Sequence, residues 1–447
     1  MSADLMTTDA PAPVQQALAF VQRADLWHIV SRNSPATSCR DAAARRWRLG
    51  KQGIPLYDEL KSLCLCAHLA DGVRHVLLHA RAHTRLNLAA AAQLLGATEP
   101  LTRVSQAELA DQLGSVYGTV NPFCQPERFI HLFDQDVLAP YTAPHTMLTN
   151  AGEHTWAIEF VPGELVQALR AAQIRVVVGN ISARSTQAPC LPRFGILTGN
   201  GPESGMALWQ HINTTVFDGL QTQDQMYGDL SYPSVVVHSL PEMGLSMQLV
   251  EREAHTWQVV AAGVDQLCAA GITHLALACN TTPYFTEQIR ARCAPHGVTF
   301  IPIQEPTISV LARYPLSELT ILGIPVVAGL GPHSAYRALA DQGVAVLDNP
   351  KVLAALHELG YLVKRFRSRG QHVKALNKLR YILRAGVQTP RALIALTEIS
   401  VLLERFPGIH QRLNSLQIID PLAIYGAHLG QLYLSALPDE AGDAEED

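Results

Sequence analysis

No apolar run in the 447 residues approaches the roughly 18 needed to cross a bilayer. The opening MSADLMTTDAPAP lacks the basic start and apolar stretch of a secretory signal. These absences set aside membrane-spanning and exported classes and predict a cytoplasmic protein. The eight cysteines include no C-x-x-C pair and no regular framework, so structural disulfides are not expected. Zinc is not expected either: Cys64 and Cys66 stand i, i+2 on an apparent strand, facing one way, with no second ligand pair nearby in sequence. A strong basic excess is also missing. The formal charge of −5 excludes a nucleic-acid binder of the strongly basic kind, leaving local patches at Arg40, Arg45, Arg46, Arg48 and Lys51 and over 364–380, either of which reads equally as a solvated helix face.

With nearly half its residues apolar, the chain can bury large cores, and its length fits two to four domains. The expected class is α/β, with an α+β module first and two parallel-sheet lobes after it. In residues 1–180 the elements are short and mixed: a helix over SCRDAAARRW, strands in KSLCLCAHL and VRHVLLHA, helices in NLAAAAQLLG and VSQAELADQLG, a turn GTVNPF, a strand FIHLF, and a strand and helix in TWAIEFVPGELVQALRAA. A polar, Pro-containing stretch over 181–192 reads as a linker. From 193 to 436, apolar strands alternate with amphipathic helices: FGILTG, SVVVHSL, HLALAC and VTFIPI, then LTILGI, VAVLD and RALIAL, with helices expected between them, including SAYRALADQG. Alternation of this kind, occurring twice, predicts two similar lobes with a site between them. Residues 437–447 form an acidic, apolar-poor tail expected to be disordered. His75, His79 and His83 would align on a helix, but their segment reads as a strand running into a turn, which argues against a metal site.

Chemistry concentrates in HLALACNTTPYF. HLALA reads as a buried parallel strand and the residues after Cys279 as a helix start, with Thr282 as N-cap and Pro283 in the first helical position. Cys279 then stands at the carboxyl end of a strand before a helix N-terminus, where ligands bind in open α/β sheets and where the local field lowers a thiol pKa. The alternative is an inert core cysteine; the polar Asn280, Thr281 and Thr282 that follow favour a ligand site. A second turn, TGNGPES after FGIL, has glycines that let backbone amides approach an anion. Together the two turns describe a small-carboxylate site.

FGILTGNGPES, the ACNT turn and ALTEIS, in that order over roughly 193–434, resemble the aspartate/glutamate racemase superfamily. The resemblance implies two Rossmann-like lobes and proton exchange at an amino-acid α-carbon without metal or nucleotide cofactor, between two cysteines. Cys279 matches the first. The second would precede Thr397-Glu398, and Leu396 stands there. Asn200 replaces a residue commonly methionine in the family, and Tyr425 falls where many relatives have histidine. With one cysteine, one-sided chemistry is expected: α-proton exchange, or protonation of an enediolate after decarboxylation. A non-turning-over amino-acid sensor is the other reading. Asn200, Thr397 and Glu398 join the substrate-side candidates.

In the first module, TSCRDAAARRW, Lys61 in ELKSLCL, TRLNLAAAAQLLGA, VSQAELADQLG, GTVNPF and NAGEHTWAIEFVPGELVQAL are similar, in that order, to the YbaK/ProX family of prolyl-tRNA editing domains, which hydrolyse mischarged aminoacyl-tRNA. The resemblance makes Lys61 the essential lysine, holding the terminal nucleotide or the ester by its point charge. It makes 118–123 the loop that presents backbone N–H groups to the carbonyl, with Gly118, Asn121 and Pro122 as candidates. The partners implied are a small amino or dicarboxylic acid and the aminoacyl-tRNA acceptor end, with a homodimer left open.

Overall fold

The register of one hairpin organises the first half of the chain. In the computed structural model, which describes residues 9–35, 39, 42, 54–139, 146–182, 191–223, 225–364, 369–406 and 416–437, β2 (Leu60–Leu69) and β3 (Gly72–Arg81) pair antiparallel along their whole length. Gly72, at φ +117°, lets the chain turn back over Ala70 and Asp71. Side chains alternate across this ribbon. Leu65, Ala67, Leu69, Val76, Leu78 and Ala80 face one core, shared with Ala91 and Leu95 of helix Leu88–Leu95; Cys64 and Leu77 face another, with Val104, Leu109 and Phe129. The sheet is completed as β4-β2-β3-β5-β8, where β4 is Thr102–Arg103, β5 Ile130–Asp134 and β8 Val176–Gly179. β5 and β8 run parallel to β3. A second, antiparallel sheet, β1-β7-β6 (His28–Arg32, Trp156–Phe160, Met147–Asn150), packs with helices Ala12–Arg23 and Pro162–Ala171 in a core that also takes in Leu60, Phe123 and Phe133.

Both helices flanking β4 start and stop where their sequences dictate. Asn87 caps Leu88–Leu95 and Ser105 caps Gln106–Leu113, each accepting a backbone N–H from three residues on. Gly96 and Gly114 end the two helices in the left-handed conformation. The helix expected over 38–47, the arginines of the 40–51 patch, most of the 181–192 linker and the tail beyond 437 lie outside the described residues.

The chain divides into two compact units. One comprises Met1–Leu191 with Leu220–Tyr232 and Ala436–Asp447, the other Pro192–Gly219 with Pro233–Ser435. The second unit carries two parallel sheets. Four strands, β9 (Phe194–Thr198), β10 (Val235–Ser239), β11 (His274–Leu277) and β12 (Thr299–Ile301), stand in the order β10-β9-β11-β12. Three more, β13 (Leu319–Leu322), β14 (Arg391–Ile394) and β15 (Gln417–Ile419), stand in chain order. β9 is buried throughout, as parallel strands covered on both faces must be. Helix Leu249–Ala269 packs Val260, Val264 and Leu267 against Leu275 and Leu277 of β11.

Two expected elements are replaced. SAYRALADQG forms only a 3₁₀ turn, Arg337–Gln342: Ser334 and Tyr336 are held in a preceding turn by Ser334 Oγ, and Gly343, at φ +77°, ends the segment. VAVLD contributes a single bridge, Ala345 to Thr320, because the chain leaves the sheet to let Asn349 cap helix Pro350–Lys364 through the amides of Lys351 and Val352. Among the described residues no helix is long and apolar enough to cross a membrane.

Arg81 is fully buried at the end of β3. Its guanidinium donates to Asp58 Oδ1 at 2.9 Å, to the carbonyls of Tyr57 and Asp136 at 2.5 and 2.8 Å, and to that of Ala139. Burial raises the Asp58 carboxyl to about 6 against the pull of Arg81. Removing the cation while leaving this acceptor shell in place is the costly way to break such a pair. Arg81→Ala is therefore expected to destabilise the first unit by about 3–5 kcal/mol, and Asp58→Asn by clearly less, in urea unfolding followed by fluorescence. Equal effects would count against this ranking.

Candidate functional site

In the second unit the chain runs from β9 out to β10, then returns to place β11 on the other flank of β9. This is a topological switch point, and the loops leaving the carboxyl ends of β9 and β11 diverge around a crevice. TGNGPES follows β9. Gly199 has φ +140°, and a Cβ there would collide with the Leu240 carbonyl; at Gly201, φ +149°, a Cβ would sit 3.3 Å from Ser204 Oγ and 3.4 Å from Glu398 Oε1. Gly199 is required because backbone passes at close quarters, and Gly201 because its positive φ excludes a side chain.

Cys279, two residues beyond β11, is 3% exposed. Its sulfur accepts the Thr281 N–H at 3.2 Å and the Asn200 side-chain amide, which also donates to Ser246 Oγ at 3.2 Å. Asn280 Oδ1 accepts the Tyr336 hydroxyl at 2.7 Å, and burial keeps that phenol protonated well above its ordinary range. The helix start differs from expectation. Thr282 is not an α-helical N-cap but opens the 3₁₀ turn Thr282–Phe285, and the α-helix begins only at Thr286, whose hydroxyl donates back to the Pro283 carbonyl. The backbone donor aimed at sulfur is thus the single amide of Thr281, beside the side-chain amide of Asn200.

On the second sheet, β14 ends at Ile394 and the chain continues through Ala395 and Leu396. Leu396 is extended and buried, and helix Thr397–Arg405 follows it, with Thr397 and Glu398 buried in its first turn. Glu398 pairs with Lys364 Nζ at 3.2 Å, and Lys364 also reaches Met247 Sδ at 3.3 Å. Burial raises the Glu398 carboxyl above its usual range, with Lys364 opposing. Tyr425 is buried and donates to the Ile301 carbonyl, a packing contact. Among the described residues, Asn200 Oδ1, Ser204 Oγ, Asn280 Nδ2 and Thr282 Oγ1 are buried without a hydrogen-bond partner. Buried polar atoms are normally paired; three of these four sit on the two turns that flank Cys279, and Ser204 sits in the first turn of helix Pro202–Thr222, which follows one of them. Lys364, Tyr336 and Ser246 were not foreseen. Lys364 read as the first charge of a basic surface run, and no local signal distinguished it.

In the first unit, Lys61 is half-buried on β2 opposite Ala80. Gly118, at φ +81°, opens the 118–123 turn. Asn121 is occupied in shaping that turn: Oδ1 accepts the amides of Phe123 and Cys124 at 2.9 and 3.1 Å, and Nδ2 donates to the Thr119 carbonyl at 3.1 Å. Pro122 is buried beside it, and Phe123 is locked edge-on against Phe160. The pocket under the turn is lined by Leu77, Ser115, Val120, Asn121, Cys124, Gln125 and Phe129, and Lys61 is not among these residues. By strand alternation Lys61 belongs to the Ala80 face, whereas the turn packs on the Leu77 face. β4 pairs only with Leu65 and Cys66 of β2, so Lys61 stands beyond the reach of that neighbour.

The Leu77 face carries a hydrogen-bonded relay that was also unforeseen: Ser62 Oγ to His79 Nδ1 at 2.9 Å, His79 Nε2 to His131 Nδ1 at 3.0 Å, and His131 Nε2 to the Pro126 carbonyl at 3.0 Å. The carbonyl can only accept, so each imidazole in turn must donate from Nε2 and accept at Nδ1, and Ser62 must donate. Burial pushes His79 well below its ordinary range and His131 down to about 4. Their contribution is fully present above the unfolded value of 6.5 and is lost as pH falls through the folded value. Calorimetric Tm is expected to fall from pH 6.5 toward 4, and less steeply in His79→Gln/His131→Gln; identical slopes would overturn the assignment.

Residues 35–168 match the family model described as the aminoacyl-tRNA editing domain, which bears out the first-module resemblance. No curated protein matches the chain. Among solved structures it is similar to a candidate Asp/Glu racemase from Yersinia pestis, at 19% identity over 55% of this chain and 100% of that one, with a TM-score of 0.41. It is also similar to the aspartate racemase of Picrophilus torridus, at 17% identity over 55% and 94%, TM-score 0.41. A third is glutamate racemase from Francisella tularensis subsp. tularensis SCHU S4 in complex with D-glutamate, at 13% identity over 55% and 81%, TM-score 0.36.

Proposed function

We propose that the chain joins an aminoacyl-tRNA deacylase to a unit that moves a proton at the α-carbon of a small amino or dicarboxylic acid, with Cys279 as acid/base. The observation that carries the second half is the set of four unpartnered buried polar atoms around a thiol that already accepts two N–H groups. A carboxylate and an amine can satisfy such acceptors and donors together. Lys364 has three donors, directed in part at Glu398 and at the weak acceptor Met247 Sδ, so it can also take a substrate carboxylate entering beside Gly201.

In the reaction, the Cα–H bond breaks, its electron pair passes into the carboxylate as an enediolate, and the proton moves to the Cys279 thiolate. Return of a proton from the same sulfur restores the original hand. Inversion needs a second donor on the opposite face, and Leu396 has none to give. In heavy water, mass spectrometry should find α-deuterium in a turned-over amino acid while chiral chromatography finds no enantiomer. Cys279→Ala should lower wash-in by about 10²-fold or more, and Leu396→Cys should yield the enantiomer. Binding without wash-in for any candidate acid would favour the sensor reading instead.

For the first half the support is the editing-family match and the surroundings of Lys61. His83, on the turn after β3, is held neutral down to about 4 by burial, with Arg81 and Lys61 adding to the effect. A fixed ammonium beside a neutral imidazole suits an ester: the cation holds the terminal nucleotide and the ring orients the attacking group. The 118–123 turn packs on the opposite face of the ribbon from Lys61, so Gly118 and Pro122 take no part in holding this ester. Lys61→Ala should abolish release of alanine or cysteine from mischarged tRNA(Pro). Equal, slow release by mutant and wild type would remove the deacylase assignment.

A further inference from the structure

The β2–β3 hairpin carries a second group of reactive side chains, away from Lys61. Cys66 and His75 are direct partners in its antiparallel register, which brings their Cβ atoms to about 4.5–5.5 Å. Helix Gln106–Leu113 covers this pair, and its entry is fixed by Ser105 Oγ accepting the Glu108 amide at 3.2 Å. That cap holds Glu108 in the first turn, with Oε1 3.3 Å from His75 Nε2. The sulfur, the imidazole nitrogen and the carboxylate oxygen all lie within 4.8 Å of one another, and all three residues are half-buried.

We infer that Cys66, His75 and Glu108 form a binding site for one zinc ion, with three protein ligands and a fourth position open to solvent or an incoming ligand. Thiolate, imidazole and carboxylate are zinc's donor set, whereas magnesium and calcium select oxygen alone. Tetrahedral bonds of 2.0–2.3 Å place ligand atoms about 3.5 Å apart, so modest side-chain rotation closes the group onto an ion. The three ligands come from two antiparallel strands and a helix, each independently anchored by the strand register or the helix cap. Ligand spacings of 9 and 33 residues follow no zinc-finger pattern, which is why Cys66 showed no second ligand in sequence.

The test uses the full-length, reduced, metal-stripped protein, with Co²⁺ as the optical probe and Zn²⁺ titrated against a chromophoric chelator. Wild type should bind one zinc and show a near-ultraviolet thiolate-to-cobalt band. Cys66→Ser should lose the band, and His75→Ala and Glu108→Gln should each weaken zinc binding at least about tenfold, the scale on which even supporting residues act at metal sites. Cys64→Ser, on the same face, should keep the band, and near-ultraviolet circular dichroism of each metal-free variant should match wild type. A band that survives Cys66→Ser, zinc affinity unchanged in Glu108→Gln, or no zinc binding by wild type would overturn the proposal.

Discussion

The parallel pairing of β9 with β11 is the constraint on which the second unit's chemistry rests. His274 to Leu277 run in register with Phe194 to Leu197, so the two chains leave the sheet side by side and their loops must share the space beyond. Gly199 and Gly201 let the first loop fold close without side chains. The amide of Asn200 then reaches Cys279, and Thr281 donates from the other side. Shifting that register by one residue would exchange the faces of β11 and turn these loops away from each other. The placement of the cysteine is thus a property of strand pairing before it is a property of the residue.

The first unit depends on the same kind of constraint, applied to parity along a strand. Lys61 and Ser62 are adjacent in sequence, yet the β2–β3 register pairs one with Ala80 and the other with His79. One is directed toward the apolar face under Leu88–Leu95, the other into an imidazole relay that ends on the Pro126 carbonyl. Cys66 and His75 are brought together by the same alternation, four residues further along β2. A single hairpin therefore sorts a cation, a histidine relay and a thiol cluster onto distinct positions. The turn 118–123 is held by its own hydrogen bonds and by Phe123 in the core, so its shape does not depend on Lys61.

Legibility in the sequence follows the range of the forces involved. Strand patterns marked β2 and β3, apolar runs marked β9, β11, β13 and β14, and the helical segments NLAAAAQLLG and VSQAELADQLG marked the helices at 88 and 106, because each of these signals is local. SAYRALADQG has helical propensity, and it was overridden when Tyr336 was drawn inward to Asn280. Thr282 had the residue type of an N-cap, but the chain tightened into a 3₁₀ turn first. Cys279 could be located because a strand end and a helix start are both local features. Lys364, His131 and Glu108 could not, since each gains its role from a partner more than 30 residues away: Glu398, His79 and His75 respectively.

The asymmetry of the crevice carries one more step. A two-base site holds a proton donor at equal height on both walls. Here the β11 wall offers sulfur with two donors, and the β14 wall offers Leu396 followed by the Lys364–Glu398 pair, in which the carboxylate is buried and the ammonium partly exposed. Burying the Glu398 carboxylate costs desolvation, which the partly exposed Lys364 ammonium offsets. In the reaction we propose, Glu398 holds the ammonium in place until a substrate carboxylate competes for its hydrogens. In that proposed reaction the β14 wall, with no proton to give at Leu396, orients the acid, and the β11 wall moves its proton.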